Sequence, residues 1–168
     1  MFLGASMGAE TTAAATGAVG VVRWDPMAMR SFCGYNMGDY FSYWLSVGKR
    51  LRNPLLMFRV NWFRKDENGK FLRPGYGENI RVLRWILDRV HGKGNAVQTP
   101  IGYLPNPESI DSLGMNLKPH VLQQVLSLDR EGWEKEVDDI EIFFSQFNGR
   151  LPVELKKEVT NLKNQFSA

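Results

Sequence analysis

Two apolar stripes at helical spacing near the end of the chain limit its possible folds more than any other feature. The first stripe consists of Trp133, Val137, Ile140, Phe144 and Phe147. The second consists of Leu155, Val159, Leu162 and Phe166. Each recurs every three or four residues, as the buried face of an amphipathic helix does. The sequence therefore predicts two C-terminal helices between about residues 129 and 166, packed on each other and on a sheet.

The rest of the chain predicts shorter elements. Asn36 opens a helix that continues through Val47, and Asn79 is expected to cap a second helix with a stripe of its own. That stripe consists of Ile80, Leu83, Leu87 and Val90. A short helical patch is expected over residues 121–126.

Strands are predicted to be short. Apolar residues alternate over residues 56–62, which predicts a half-buried strand, and Val21 and Val22 are expected to close another strand before Asp25. Asn68-Gly69 is typical of a hairpin turn, and residues 99–105 are expected to be extended. The predicted fold class is mixed α/β, with short strands and a helical C-terminus.

The charge distribution and the single cysteine limit which partners and which cellular setting are expected. Up to Asn95 the chain has 14 basic and 7 acidic residues, whereas after it there are 7 basic and 11 acidic ones. We expect the basic half to meet an anion. The single cysteine, Cys33, fits a reducing, cytoplasmic setting, and with two distant histidines it predicts no zinc-type site. The chain has no apolar run of the roughly 20 residues that a membrane helix needs, so no membrane partner is expected.

One segment, residues 61–79, combines aromatic rings with loop-forming residues. Phe63, Phe71 and Tyr76 flank a turn and a Gly-Tyr-Gly hinge, so they do not form a helical stripe. Such rings either pin a loop to the core or remain open to a ligand. The nearby cations Arg64, Lys65, Lys70, Arg73 and Arg81 favour the second interpretation, because they would attract phosphates. A planar base stacks on a ring for roughly 1–3 kcal/mol, and the Asn79 amide could both donate to and accept from a purine edge.

Six short motifs extend this interpretation to nearly the whole chain. They are Met7-Gly8-Ala9-Glu10-Thr11-Thr12-Ala13-Ala14-Ala15, Asp25-Pro26-Met27-Ala28-Met29, Phe32-Cys33-Gly34-Tyr35-Asn36-Met37-Gly38-Asp39-Tyr40, Asn61-Trp62-Phe63-Arg64-Lys65-Asp66, Pro74-Gly75-Tyr76-Gly77-Glu78-Asn79 and Thr99-Pro100-Ile101-Gly102-Tyr103. In this order and at this spacing they resemble the C-terminal portion of the GTP-dependent phosphoenolpyruvate carboxykinases.

The resemblance implies roles for particular residues. Phe63 and Tyr76 would sandwich guanine, Phe71 would close its edge, and Asn79 would help to select guanine over adenine. Gly77 and Glu78 would belong to the same base-binding turn. A mobile lid at about residues 11–21 would close over the active site and exclude water. Its core would be Thr11, Thr12, Ala13, Ala14, Ala15, Thr16 and Gly17.

The resemblance also implies which ligands the enzyme binds and which of its parts would lie outside this chain. Residues 1–168 would be a partial C-terminal nucleotide-binding domain of an enzyme that converts oxaloacetate and GTP to phosphoenolpyruvate, CO2 and GDP in gluconeogenesis. GTP or GDP would bind this chain, whereas the Mn2+ or Mg2+ ligands, the phosphate loop and the catalytic residues would lie upstream of Met1. The chain has no Gly-x-x-x-x-Gly-Lys-Ser/Thr motif. We therefore expect no catalysis by this chain alone.

Two other functions remain open from the residues. A non-catalytic module could use the basic aromatic segment to bind nucleotide or single-stranded nucleic acid, although nucleic acid is the less favoured partner. A fragment without function is the third reading. Preference for GDP over ADP distinguishes the first reading from the second.

Overall fold

The computed structural model describes residues 1–10, 22–61, 64–72, 75–115 and 117–167. The chain divides into two compact units. The first, called here the split unit, comprises Met1–Pro54 and Arg130–Ala168, and the second, called here the central unit, comprises Leu55–Asp129. The central unit contains the whole of the predicted base-binding segment.

The two predicted C-terminal helices are present and form the core of the split unit. They begin and end close to the predicted bounds, at Arg130–Ser145 and Val153–Ser167. Their buried residues are Val137, Ile140, Phe143 and Phe144 in the first and Leu155, Val159, Leu162 and Phe166 in the second. The helices also contact each other directly, because the rings of Trp133 and Phe166 stack with centroids 6.0 Å apart.

A short antiparallel hairpin packs on the first of these helices. The first strand, β1 (Gly8–Glu10), follows helix α1 (Phe2–Ala5) and pairs with β2 (Val22–Trp24). The Trp24 ring stacks on Phe143 with centroids 4.8 Å apart. The expected packing on a sheet is therefore confirmed for the first of the two C-terminal helices, through this two-stranded sheet.

The helix predicted at Asn36 is also present. Helix α2 spans Met37–Arg50, and the Asn36 side chain accepts a hydrogen bond from Gly38 N at 2.8 Å. Gly38 is required by packing, since a Cβ there would lie 2.5 Å from the carbonyl oxygen of Arg150. Only glycine allows α2 to approach the turn at Asn148–Arg150 this closely.

The described residues of the central unit form two α-helices, α3 (Asn79–Val90) and α4 (Pro119–Leu126). Between them lies a hairpin of β3 (Val97–Thr99) and β4 (Gly102–Leu104). The C-terminal helices of the split unit are α5 (Arg130–Ser145) and α6 (Val153–Ser167). The extended prediction for residues 99–105 thus missed a tight turn at Pro100 and Ile101.

The strand predicted over residues 56–62 is wrong for the part that is described. Residues 54–61 form no regular secondary structure, and Leu56 is 62% exposed. Of the alternating apolar residues that are described, only Phe58 and Val60 are half-buried, and their neighbours in the sequence are exposed. A strand requires a neighbour that accepts and donates its backbone hydrogen bonds, and no strand pair or β-bridge among the described residues includes residues 54–61.

The apolar stripe of α3 faces outward. Ile80, Leu83, Leu87 and Val90 are 47–65% exposed, whereas Trp85 is buried. The Trp85 ring meets Phe58 edge-on at 6.2 Å, and its Nε1 donates to the carbonyl oxygen of Asn95 at 3.0 Å. The helix lies where it was predicted, but its buried side carries Trp85 and not the predicted apolar stripe.

The predicted fold class is confirmed. Short antiparallel strands accompany helices, and the C-terminal end of the described chain is helical. Every helix among the described residues is too short or too polar to cross a lipid bilayer.

Candidate functional site

The first part of the predicted base-binding segment is a small hairpin over residues 64–72. Its turn is closed by Asp66, whose Oδ1 accepts from the backbone N–H groups of Asn68 and Lys70, both at 2.9 Å. Gly69 adopts φ 76°, a conformation that favours glycine. The turn predicted at Asn68-Gly69 is therefore confirmed.

The hairpin presents one of the three predicted rings. Phe71 lies opposite Lys65 in an antiparallel bridge, and Lys65 Nζ lies 5.1 Å from the centroid of its ring. The Phe71 side chain remains half exposed, whereas its neighbour Leu72 is buried. Leu72 thus anchors the strand, and Phe71 offers ring surface beside a cation.

Tyr76, Gly77, Glu78 and Asn79 come together in a single tight turn. Tyr76–Glu78 forms one turn of 3-10 helix that leads directly into α3. Gly75 enters the turn at φ 135°, which a side chain would make unfavourable. Tyr76 is 84% exposed. The turn therefore presents an open ring on the surface immediately before the amide of Asn79.

The predicted capping role of Asn79 is wrong. The helix begins at Asn79 itself, with Glu78 in the capping position and no side-chain hydrogen bond there. The reason is the 3-10 turn, which already holds Glu78 and Asn79 in helical dihedral angles. A capping residue needs extended dihedral angles to direct its side chain back to the first N–H groups.

The Asn79 carboxamide is consequently not used by the helix. Its Oδ1 is buried and has no hydrogen-bond partner among the described residues. An acceptor in this state costs about 1–3 kcal/mol relative to a paired one. Asn106 Oδ1 shares this property, so the feature alone does not define a site.

Two of the cations expected to attract phosphates are engaged elsewhere. Arg64 donates to the carbonyl oxygens of Val125 and Ser127, at 2.9 and 2.7 Å, and to Ser127 Oγ at 3.0 Å. Arg81 donates to Glu78 and to backbone carbonyls of a neighbouring loop. These guanidinium groups hold the segment onto the central unit. Lys65 and Lys70 remain exposed.

The sequence offered a partial signal for this use of arginine. Glu78 and Arg81 are three residues apart, a spacing at which opposite charges meet on a helix. The carbonyl partners of Arg64, some sixty residues away along the chain, had no such signal.

Several predicted site residues lie outside the described part of the chain. They are Phe63 and the lid residues Thr11, Thr12, Ala13, Ala14, Ala15, Thr16 and Gly17. The structure does describe the two residues that flank the predicted lid. Glu10 and Val22 are partners in the β1–β2 hairpin, so the chain leaves and returns at one place.

No group of three or more His, Cys, Asp or Glu side chains within the described ranges is placed to hold a metal ion. The described residues therefore do not fit the divalent cation that the resemblance implies for a whole enzyme.

Comparison with known proteins agrees with the resemblance. Residues 1–165 match the family described as "Phosphoenolpyruvate carboxykinase C-terminal P-loop domain". Among curated relatives, the phosphoenolpyruvate carboxykinase [GTP] of Thermoplasma volcanium is 48% identical over 94% of this chain. The proteins of the same name from Chlamydia muridarum and Neocallimastix frontalis are 47% and 48% identical over 99% and 100% of it.

These relatives are much longer than this chain. The aligned part makes up 26% of the Thermoplasma protein and 28% of each of the other two. The chain thus spans little more than a quarter of the relatives that it matches.

Proposed function

We propose that this chain, which belongs to the family of GTP-dependent phosphoenolpyruvate carboxykinases, supplies the guanine-binding segment and the active-site lid of such an enzyme. The whole reaction would convert oxaloacetate and GTP to phosphoenolpyruvate, CO2 and GDP, a step of gluconeogenesis. A cytoplasmic location and a Mn2+ or Mg2+ ion held by residues outside this chain belong to the same proposal.

The observation that carries the proposal is the turn at Tyr76–Glu78 together with Asn79. It combines an exposed ring with a carboxamide whose buried oxygen lacks a partner. Guanine carries N–H donors at N1 and N2, whereas adenine has no donor at the equivalent edge position. An unpaired amide acceptor beside a stacked base would therefore favour guanine.

The rings would supply affinity that does not depend on the base. Tyr76 and Phe63 would stack on the two faces of guanine, and Phe71 would close its edge. Stacking tolerates any base because every base has a π face. Backbone groups of Gly77 and Glu78 complete the turn, and exposed Lys65 and Lys70 would favour the phosphates.

The lid proposal draws support from the β1–β2 hairpin. Because Glu10 and Val22 are paired, the described residues on either side of the proposed lid lie next to each other. Closure of a lid over bound substrate would exclude water from the reacting groups. The chain alone would bind nucleotide without turnover, since phosphoryl transfer depends on groups around the phosphates.

Calorimetric titration of the 168-residue chain with GDP and with ADP tests the proposal. We expect GDP to bind more tightly than ADP. Phe63→Ala should weaken both nucleotides by about 1–3 kcal/mol, roughly fivefold to a hundredfold, because it removes one stacking face. Asn79→Ala should weaken GDP about tenfold and leave ADP unchanged, because it removes one hydrogen bond to the base.

Matched controls are available in the chain. Asn106→Ala removes another amide whose Oδ1 is buried and unpaired, and Phe32→Ala removes an exposed ring from the split unit. Neither should change binding. Equal affinity for GDP and ADP would contradict the proposal. A steep, salt-dependent preference for single-stranded oligonucleotides would instead favour the nucleic-acid module.

A further inference from the structure

We infer that Arg81 is a positioning residue for guanine selection, because its guanidinium group holds the Tyr76–Glu78 turn against the loop at residues 111–113. This inference rests on the proposed function and adds to it a residue that need not touch the nucleotide. Arg81 would fix the position of the Asn79 side chain relative to the base.

The contacts of Arg81 use all three nitrogens of its guanidinium group. Nε donates to Glu78 Oε2, Nη1 donates to the carbonyl oxygen of Asp111 at 2.6 Å, and Nη2 donates to that of Leu113 at 2.9 Å. Nη1 also lies 3.6 Å from the Asp111 carboxylate. The Arg81 side chain is only 19% exposed. Water therefore competes with these bonds less than it does at a surface ion pair.

The loop that accepts these bonds is itself held in place. Ile110, which precedes it, is buried. Asp111 Oδ1 accepts from Leu113 N at 3.1 Å, and Met115 N donates to the Ser112 carbonyl oxygen at 3.0 Å. Arg81 thus connects Glu78 to a loop with its own anchors. Within α3, Trp85 is buried one helical turn after Arg81.

The contacts of Arg81 with Glu78 and with the loop at residues 111–113, called here the clamp, reach the candidate site at Glu78. Glu78 occupies the capping position of α3, yet its carboxylate pairs with Arg81 and does not cap the helix. Asn79 follows it directly, and its backbone N–H donates to the Tyr76 carbonyl oxygen. A shift of Glu78 would therefore move the amide that reads the base. Because a one-ångström error weakens a hydrogen bond strongly, guanine selection should depend on this clamp.

Arg81→Lys is the most informative substitution. Lysine keeps the positive charge and the aliphatic stem but cannot reproduce a planar fork with three directed donors. Arg84→Lys is the matched control, since Arg84 lies on the same helix with an exposed side chain. Two readouts are needed: the ratio of GDP to ADP affinity by calorimetry, and hydrogen exchange of the Glu78 and Asn79 amides.

We expect Arg81→Lys to reduce the GDP-to-ADP affinity ratio about tenfold, the order expected for one well-placed charge-assisted hydrogen-bond network. Exchange at the Glu78 and Asn79 amides should become faster. Arg84→Lys should change neither. A folded Arg81→Lys protein with an unchanged ratio would overturn the inference, even if exchange became faster. If Arg81→Lys does not fold, Glu78→Gln weakens the same clamp from its other side and should give the same two changes.

Failure of the proposed function would look different. In that case the unsubstituted chain would not prefer GDP, and the exchange measurement alone would decide whether Arg81 holds the turn. Unchanged exchange in Arg81→Lys would then overturn the clamp as well.

Discussion

The two units differ in what holds them together. Among the described residues, the split unit buries twelve hydrophobic side chains, four of them aromatic, whereas the central unit buries three, Leu72, Trp85 and Ile110. In the split unit, Phe144 lies 6.1 Å from Phe2 and 6.4 Å from Phe41 in a continuous ring cluster. In the central unit, the loops are connected chiefly by Arg64 and Arg81 to backbone carbonyls.

The difference suggests separate demands on the two units. Apolar packing is non-directional and gives stability in proportion to buried area. Hydrogen bonds from a planar guanidinium group are directional and specify geometry more than stability. We interpret the split unit as scaffold and the central unit as the part whose loop geometry matters for recognition.

The largest effect is expected in the aromatic cluster of the split unit. Phe144→Ala should lower the free energy of unfolding by about 3–5 kcal/mol, because it leaves a cavity in a packed core. Denaturant titration measures the change. Ile142→Ala, on the exposed side of the same helix, should cost far less. Similar costs for the two substitutions would remove the basis for calling this unit the scaffold.

A smaller effect is expected in the sparse core of the central unit. Trp85→Phe keeps a ring but removes the hydrogen bond from Nε1 to the Asn95 carbonyl oxygen. We expect a loss of about 1–2 kcal/mol, seen as faster hydrogen exchange across α3. Trp44→Phe, at a half-exposed position of the split unit, is the control. A Trp85→Phe cost equal to that of Phe144→Ala would show that both units depend equally on apolar packing.

The smallest effect is expected for a surface pair of the split unit. Lys49 Nζ donates to Glu154 Oε1 at 2.6 Å, and this hydrogen bond lowers the pKa of Glu154. A lowered pKa means that the contribution to stability is present above the ordinary value of 4.5 and is lost as the pH falls through the folded-state value. Glu154→Gln should therefore destabilise slightly near pH 7 and have no effect at strongly acidic pH.

Urea midpoints across this pH range would measure that effect. Glu131→Gln, an exposed carboxylate on α5, is the control. A destabilisation by Glu154→Gln that persisted at acidic pH would mean that packing of the side chain, not its charge, is responsible.

Prediction from sequence succeeded where one short-range pattern was sufficient. The stripe of α6, most of the stripe of α5, the start of α2 after Asn36 and the Asn68-Gly69 turn each depend on residues within a few positions. Phe147, the last residue of the predicted α5 stripe, lies beyond the end of that helix at Ser145. Prediction failed for residues 56–61, where alternation predicted a strand but pairing requires a distant partner. It also failed for the cap at Asn79, because the preceding 3-10 turn changed the dihedral angles there.

For the candidate site, the sequence alone identified the aromatic segment, its turn residues and the family to which they belong. Six ordered motifs carry that information without any coordinates. It could not determine which charged groups remain open to a ligand. Apart from the spacing of Glu78 and Arg81, Arg64 and Arg81 look equivalent to Lys65 and Lys70 in the sequence, yet the tertiary structure gives the arginines carbonyl partners between 30 and 63 residues away. These carbonyl partners depend on which distant loops come together in the folded protein, and a local sequence pattern does not specify such contacts.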